Sequence, residues 1–229
     1  MASCPAKAAA LADTQARALR PTGIEGELLG RRELGLRADL EYVRALQDRY
    51  AAGQSPDGST WSERDWSTSW GVLITAEEEA GLWTREHALL PLIHAAQAHL
   101  AGLPSRQVGG AWLALGEKGI VVSLTAAADV RAVLADLRAL AGPGQSVRAI
   151  QVRWSTVELR VIEHKVLAHI GKVWSLHAID VLNGVVSILV PDGVRTVEQA
   201  VAHVVDPCAV HVSRGQFVYT PLRRQPRRG

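Results

Sequence analysis

A repeat constrains this chain more than any other feature of its sequence. Gly119-Ile120-Val121-Val122-Ser123 returns as Gly184-Val185-Val186-Ser187-Ile188 at an offset of 65, and the apolar positions 130, 133, 137 and 140 return at 194, 197, 201 and 204 at an offset of 64. A stretch that repeats a strand pattern and then a helix pattern must build the same small unit twice. In the first copy, residues 111–115 and 120–125 read as strands joined across Gly116-Glu117-Lys118-Gly119, a hairpin signal. Val130, Val133, Leu134, Leu137 and Leu140 share one helix face, Gly142-Pro143-Gly144 breaks it, and residues 147–154 supply a third strand. A helix over residues 156–169 leads to Gly171 and the second copy. There, strands at 174–180 and 185–190 flank the turn Asn183-Gly184, and a helix precedes a strand at 209–212. Each β-β-α-β unit is expected to lay one helix on a small, mainly antiparallel sheet, leaving the opposite face or an edge strand to a partner.

The residues before the repeat follow helical spacing. Leu36, Leu40, Val43, Leu46 and Tyr50 predict an amphipathic helix over 36–50 that stops at Gly53. A polar loop over 53–69 follows, with Pro56-Asp57-Gly58 as a turn. Thr75-Ala76-Glu77-Glu78 is a capping-box pattern that starts a second helix. Pro91 is expected to start a separate segment that ends near Gly102-Leu103-Pro104. The chain therefore reads as an α+β protein. Residues 1–30 form a flexible N-terminus, 31–105 a helical region with a Trp-containing loop, 106–171 the first unit, 172–220 the second unit, and 221–229 a basic tail.

Hydrophobic residues make up 48% of the 229, enough for a buried core, yet no run of about 18 apolar residues predicts a membrane span. The net charge of +2 conceals a tail: Arg223, Arg224, Arg227 and Arg228 stand without an acid. Interrupted by Gln225 and Pro226, they read as a solvated end, and nucleic acid is not an expected partner. Residues 1–20 lack the apolar core of a signal peptide, so the expected location is cytoplasmic, or secreted if the N-terminus is incomplete. Cys4 and Cys208 show no paired spacing of a disulfide framework or zinc site.

Catalytic patterns are missing. Neither Gly-x-Ser-x-Gly nor Gly-Asp-Ser-Gly occurs, and no phosphate-binding glycine loop ends in Lys. Glu163-His164 and His169 do not form His-Glu-x-x-His, and His87 and His94 share a helix face without a carboxylate pattern. The expectation is a noncatalytic chain without cofactor or metal. Trp61, Trp66 and Trp70 sit in a loop otherwise rich in Ser, Thr, Asp, Glu and Arg. Either they fold back over the helical region, or they form a contact patch for a partner protein.

Several of these residues resemble a known family. Gly109-Gly110-Ala111-Trp112-Leu113, Gly119 to Thr125, and Val147-Arg148-Ala149-Ile150 through Trp154-Ser155 and Glu158-Leu159 are similar to the prosegments of α-lytic protease and streptogrisin-type bacterial serine proteases. Trp174, Asp180, Asn183, Val185 and Val186 resemble the family's second prosegment subdomain, and Arg31-Arg32-Glu33-Leu34-Gly35-Leu36 its helical lead-in. In that family the prosegment is an intramolecular chaperone that binds its protease through a sheet edge of the second subdomain and leaves its C-terminal tail in the substrate cleft. With no protease domain after Tyr219, the resemblance implies a chaperone or inhibitor of a chymotrypsin-type serine protease in trans. Val210 and Val212 would offer an edge strand, and Phe217 and Tyr219 a cleft-filling segment before Pro221, unless those two aromatics pack as one more strand. A structural or regulatory interaction module unrelated to proteolysis is the other reading.

Overall fold

A computed structural model describes residues 23–59, 65–68, 70–170, 175–180 and 184–214. The fold is α+β. The chain divides into two units, one of residues 1–158 with 181–184, the other of residues 159–180 with 185–229.

The first unit opens on helices α1 (Ile24–Glu33) and α2 (Leu40–Ala51). Residues 24–30, expected to be flexible, thus belong to a helix. Its sequence hides it because only Ile24, Leu28 and Leu29 are aliphatic, and its acids at Glu25 and Glu27 and bases at Arg31 and Arg32 complement the helix dipole instead. Helix α2 begins four residues later than the spacing predicts, since Asp39 accepts a bond from the Tyr42 amide (2.9 Å) and fixes the start. A short antiparallel pair, β1 (Trp66–Ser67) and β2 (Ile74–Thr75), precedes helix α3 (Ala76–Ala101). The capping box at Thr75 and Glu78 forms as predicted. Pro91 does not split α3, which runs 26 residues without interruption. Burial of Leu89, Leu92, Ile93, Ala96 and Leu100 outweighs the one amide bond that proline removes.

Strands β3 (Val108–Ala114), β4 (Gly119–Thr125) and β5 (Ser146–Val152) form a sheet in that order, with helix α4 (Val130–Leu140) crossing between β4 and β5. The β3–β4 pair is antiparallel and the β4–β5 pair parallel. Ile120, Val122 and Leu124 join Leu92, Ile93, Ala96, Leu100, Val133 and Leu137 in the main core. All seven residues of β4 are buried, including Val121 and Ser123 on the face away from that core. The central strand is thus covered on both faces, while β3 and β5 end the sheet order. Gly119 is required where β4 meets β5, because a Cβ there would collide with the Ser146 main chain.

Helix α5 (Thr156–Ile170) carries the boundary between the units. In the second unit β6 (Leu176–Asp180), β7 (Val185–Val190) and β8 (Val210–Arg214) form a sheet of the same order, with helix α6 (Val194–Ala202) between β7 and β8. Again the first pair is antiparallel and the second parallel. Among the described residues three of the five strand pairings are antiparallel, and the β-β-α-β repeat read from the sequence is present in both units.

Candidate functional site

In the second unit, β7 alternates between buried Val186, Ile188 and Val190 and half-buried Val185, Ser187 and Leu189. The buried row is the one packed under α6, whose Val197 and Val201 are also buried. Register then decides where β8 points. Val210 lies beside Val186 and Val212 beside Ile188 in a parallel pair, so both candidate valines share the buried row. Val212 is buried and Val210 half-buried. Among the described residues β8 ends the sheet order, and His211 and Ser213 alternate onto its other row. Arg214 closes the strand, donating to the Asp192 carboxylate (2.7 Å) and the Pro191 carbonyl (3.1 Å). Phe217 and Tyr219 lie outside the described residues.

The tryptophans separate. Trp66 is buried in a cluster with Leu46 and Leu73, donates its Nε1–H to the Gln54 carbonyl (3.0 Å), and meets Tyr50 edge-on at 5.6 Å. Its indole is committed to packing and presents no contact surface. Trp70 is half-buried and packs edge-to-face on Trp83 at 5.2 Å, and Trp83 is 46% exposed. Trp61 lies outside the described residues. Trp83 is thus the more exposed indole of the pair.

The first unit also contains a polar node that the sequence did not reveal. Arg31 is fully buried, donating Nε–H to the Arg37 carbonyl (2.7 Å), Nη1–H to the Leu73 carbonyl (2.6 Å) and Nη2–H to Glu78 Oε1. Glu27, one turn earlier on α1, accepts from the Leu73 amide (2.7 Å), so two α1 side chains clasp both main-chain groups of one residue. Tyr42 donates to Glu78 (3.3 Å), and the guanidinium groups of Arg31 and Arg37 lie 5.3 and 4.3 Å from its ring centre. Burial, followed by the Glu78 charge, pushes the Tyr42 phenol up. The only hint in the sequence is Glu78 itself, whose second oxygen accepts from the Thr75 amide in the capping box (3.0 Å).

In front of the node is a groove of about 710 Å³, lined among others by Leu36, Tyr42, Asp57, Asp65, Glu77 and Arg85. Asp57 and Asp65 already hold protein donors. Ser55 Oγ donates to Asp65 (2.5 Å), and the Ser59 side chain and amide hold the Asp57 carboxyl below the usual carboxylate range. On the exposed rim, Arg37 likewise holds Asp39 low, with help from the Tyr42 amide, and is itself raised by Asp39. Asp39, Asp57 and Asp65 are thus each held by donors within the protein. Ser155, a hydroxyl in the region of resemblance, is fully buried and bound to Glu158 (2.8 Å), whose amide it caps in return. Among the described residues no three His, Cys, Asp or Glu side chains gather to hold a metal ion.

No helix among the described residues is long and apolar enough to cross a membrane. No family model matches the chain, and no curated protein or solved structure is similar to it.

Proposed function

We propose that the chain is a noncatalytic protein-binding module that acts on a chymotrypsin-type serine protease in trans, as an inhibitor or folding chaperone. The observation that carries this reading is the paired β-β-α-β architecture, falling on the residues that resemble a protease prosegment, with β8 ending the second sheet among the described residues. The contact is main-chain pairing along β8, because Val210 and Val212 are turned into the core and leave the backbone as the recognition element. The segment beyond Arg214, with Phe217 and Tyr219, supplies side chains to the cleft.

Titration of a chymotrypsin-type protease with the full chain tests the proposal, scored both by residual peptide hydrolysis and by the yield of active protease on refolding. The expected result is saturable inhibition or a raised refolding yield. A chain ending at Arg214 should lose the inhibition while keeping its melting temperature. A full chain that neither inhibits nor assists refolding overturns the reading, as does a shortened chain that inhibits equally well.

A further inference from the structure

Strand β8 ends on a side chain that reaches back. Its parallel ladder with β7 closes at the pair Val190 and Arg214. From there the Arg214 guanidinium spans to the turn between β7 and α6, donating Nε–H to the Pro191 carbonyl (3.1 Å) and Nη2–H to Asp192 Oδ1 (2.7 Å). Two nitrogens of one planar group, bonded to two consecutive residues, fix its orientation as well as its distance. The first unit ends its ladder differently. There the last pair is Thr125 with Val152, and Val152 is buried. Helix α5 begins four residues on, with Ser155 Oγ accepting from the Glu158 amide (3.3 Å). A capped helix thus sets the course of the chain beyond the first sheet, and a side-chain clasp stands at the same end of the second.

We propose that Arg214 is a positioning residue for protease inhibition, an inference that rests on the proposed function. Its clasp on Pro191 and Asp192 fixes the residue from which the segment with Phe217 and Tyr219 departs. A segment that starts from a fixed origin loses less conformational freedom when it enters a cleft. Arg214 acts through that segment and not by touching the protease. Exposure separates this role from a structural one. The Arg214 and Asp192 side chains are 74% and 80% exposed, and an ion pair that exposed adds little to folding stability. Breaking it should therefore be felt in inhibition and not in the melting temperature. The same exposure bounds the effect, at about three- to fivefold in the inhibition constant.

Two measurements on the full chain test the clasp and its consequence separately. The first uses no protease: the heteronuclear NOE of the Arg214 Nε–H group should match the ordered amides of β8, and Asp192→Ala should lower it to that of an exposed arginine such as Arg131. The second is inhibition of a chymotrypsin-type protease. Arg214→Gln and Asp192→Ala should each raise the inhibition constant about three- to fivefold, and the double variant no further, because either change alone breaks the one pair. All three should melt at the temperature of the wild type. An Arg214 Nε–H already as mobile as Arg131 in the wild type overturns the inference. A wild type that inhibits no better than the variants, effects that add, or a fall in melting temperature each overturn it while the proposed function stands. A wild type that does not inhibit at all removes both, and the NOE then shows whether the clasp itself was present.

Discussion

Arg31 is held by three acceptors that lie far apart in sequence, Arg37, Leu73 and Glu78, so its guanidinium fixes the relative positions of α1, the segment before α2, β2 and the start of α3. Replacing it with methionine keeps much of the volume but strands the Leu73 and Arg37 carbonyls and leaves the Glu78 carboxylate without its cation. Breaking a buried pair from one side costs about 3–5 kcal/mol, and urea denaturation of Arg31→Met should show a loss of that size. Adding Glu78→Gln should recover part of it, since the second change removes the stranded charge. A loss under about 1 kcal/mol, in the range of an exposed ion pair, would mean that the node only decorates a core held by Leu46, Ile74 and Leu82. Nothing in Arg31-Arg32 distinguishes the buried arginine from its exposed neighbour. Burial here depends on a main-chain carbonyl brought in from 42 residues away, which a local pattern cannot register.

The elements were legible wherever one face is apolar and the other is not. Helix α6, with Val194, Val197 and Val201, falls where spacing puts it, and β7 lies on the apolar run after Gly184. The reading lost ground at α1, which is tied down by Glu27 and Arg31 rather than by an aliphatic stripe, and at Pro91, where tertiary packing overrides local propensity. Since proline is retained inside α3 at a cost, Pro91→Ala should stabilise the chain. Proline costs up to about 3 kcal/mol in a helix interior, of which the greater freedom of the unfolded chain takes back a part. A thermal melt should therefore shift upward. An unchanged or lower melting temperature would mean that the helix bends at Pro91 to make contacts a straight helix cannot reach. Register was the least legible quantity. Gly119 pairs with Ser146, 27 residues further along, but Val186 pairs with Val210, only 24 residues further along, a difference that offsets of 64 and 65 do not convey. The candidate site suffered accordingly: the sequence could nominate Val210 and Val212 as a strand, but not that both turn inward.

Across the whole molecule, the repeat built two sheets of one topology and different burial. Strand β4 is covered along all seven residues, whereas β7 alternates between buried and half-buried positions. The consequence is a difference in how long a backbone proton survives in deuterated water. Amides bonded across β4 to β3 and β5 are released only when the first unit opens as a whole, so Val121, Val122 and Ser123 should be among the slowest to exchange. Their counterparts in β7, with one row only half covered, should be released by a smaller opening of the second unit alone. Exchange followed by mass spectrometry would then show two cooperative steps in one chain, the β6–β8 peptides labelling first. If the proposed function holds, adding the protease should slow that earlier step and leave the later one where it was.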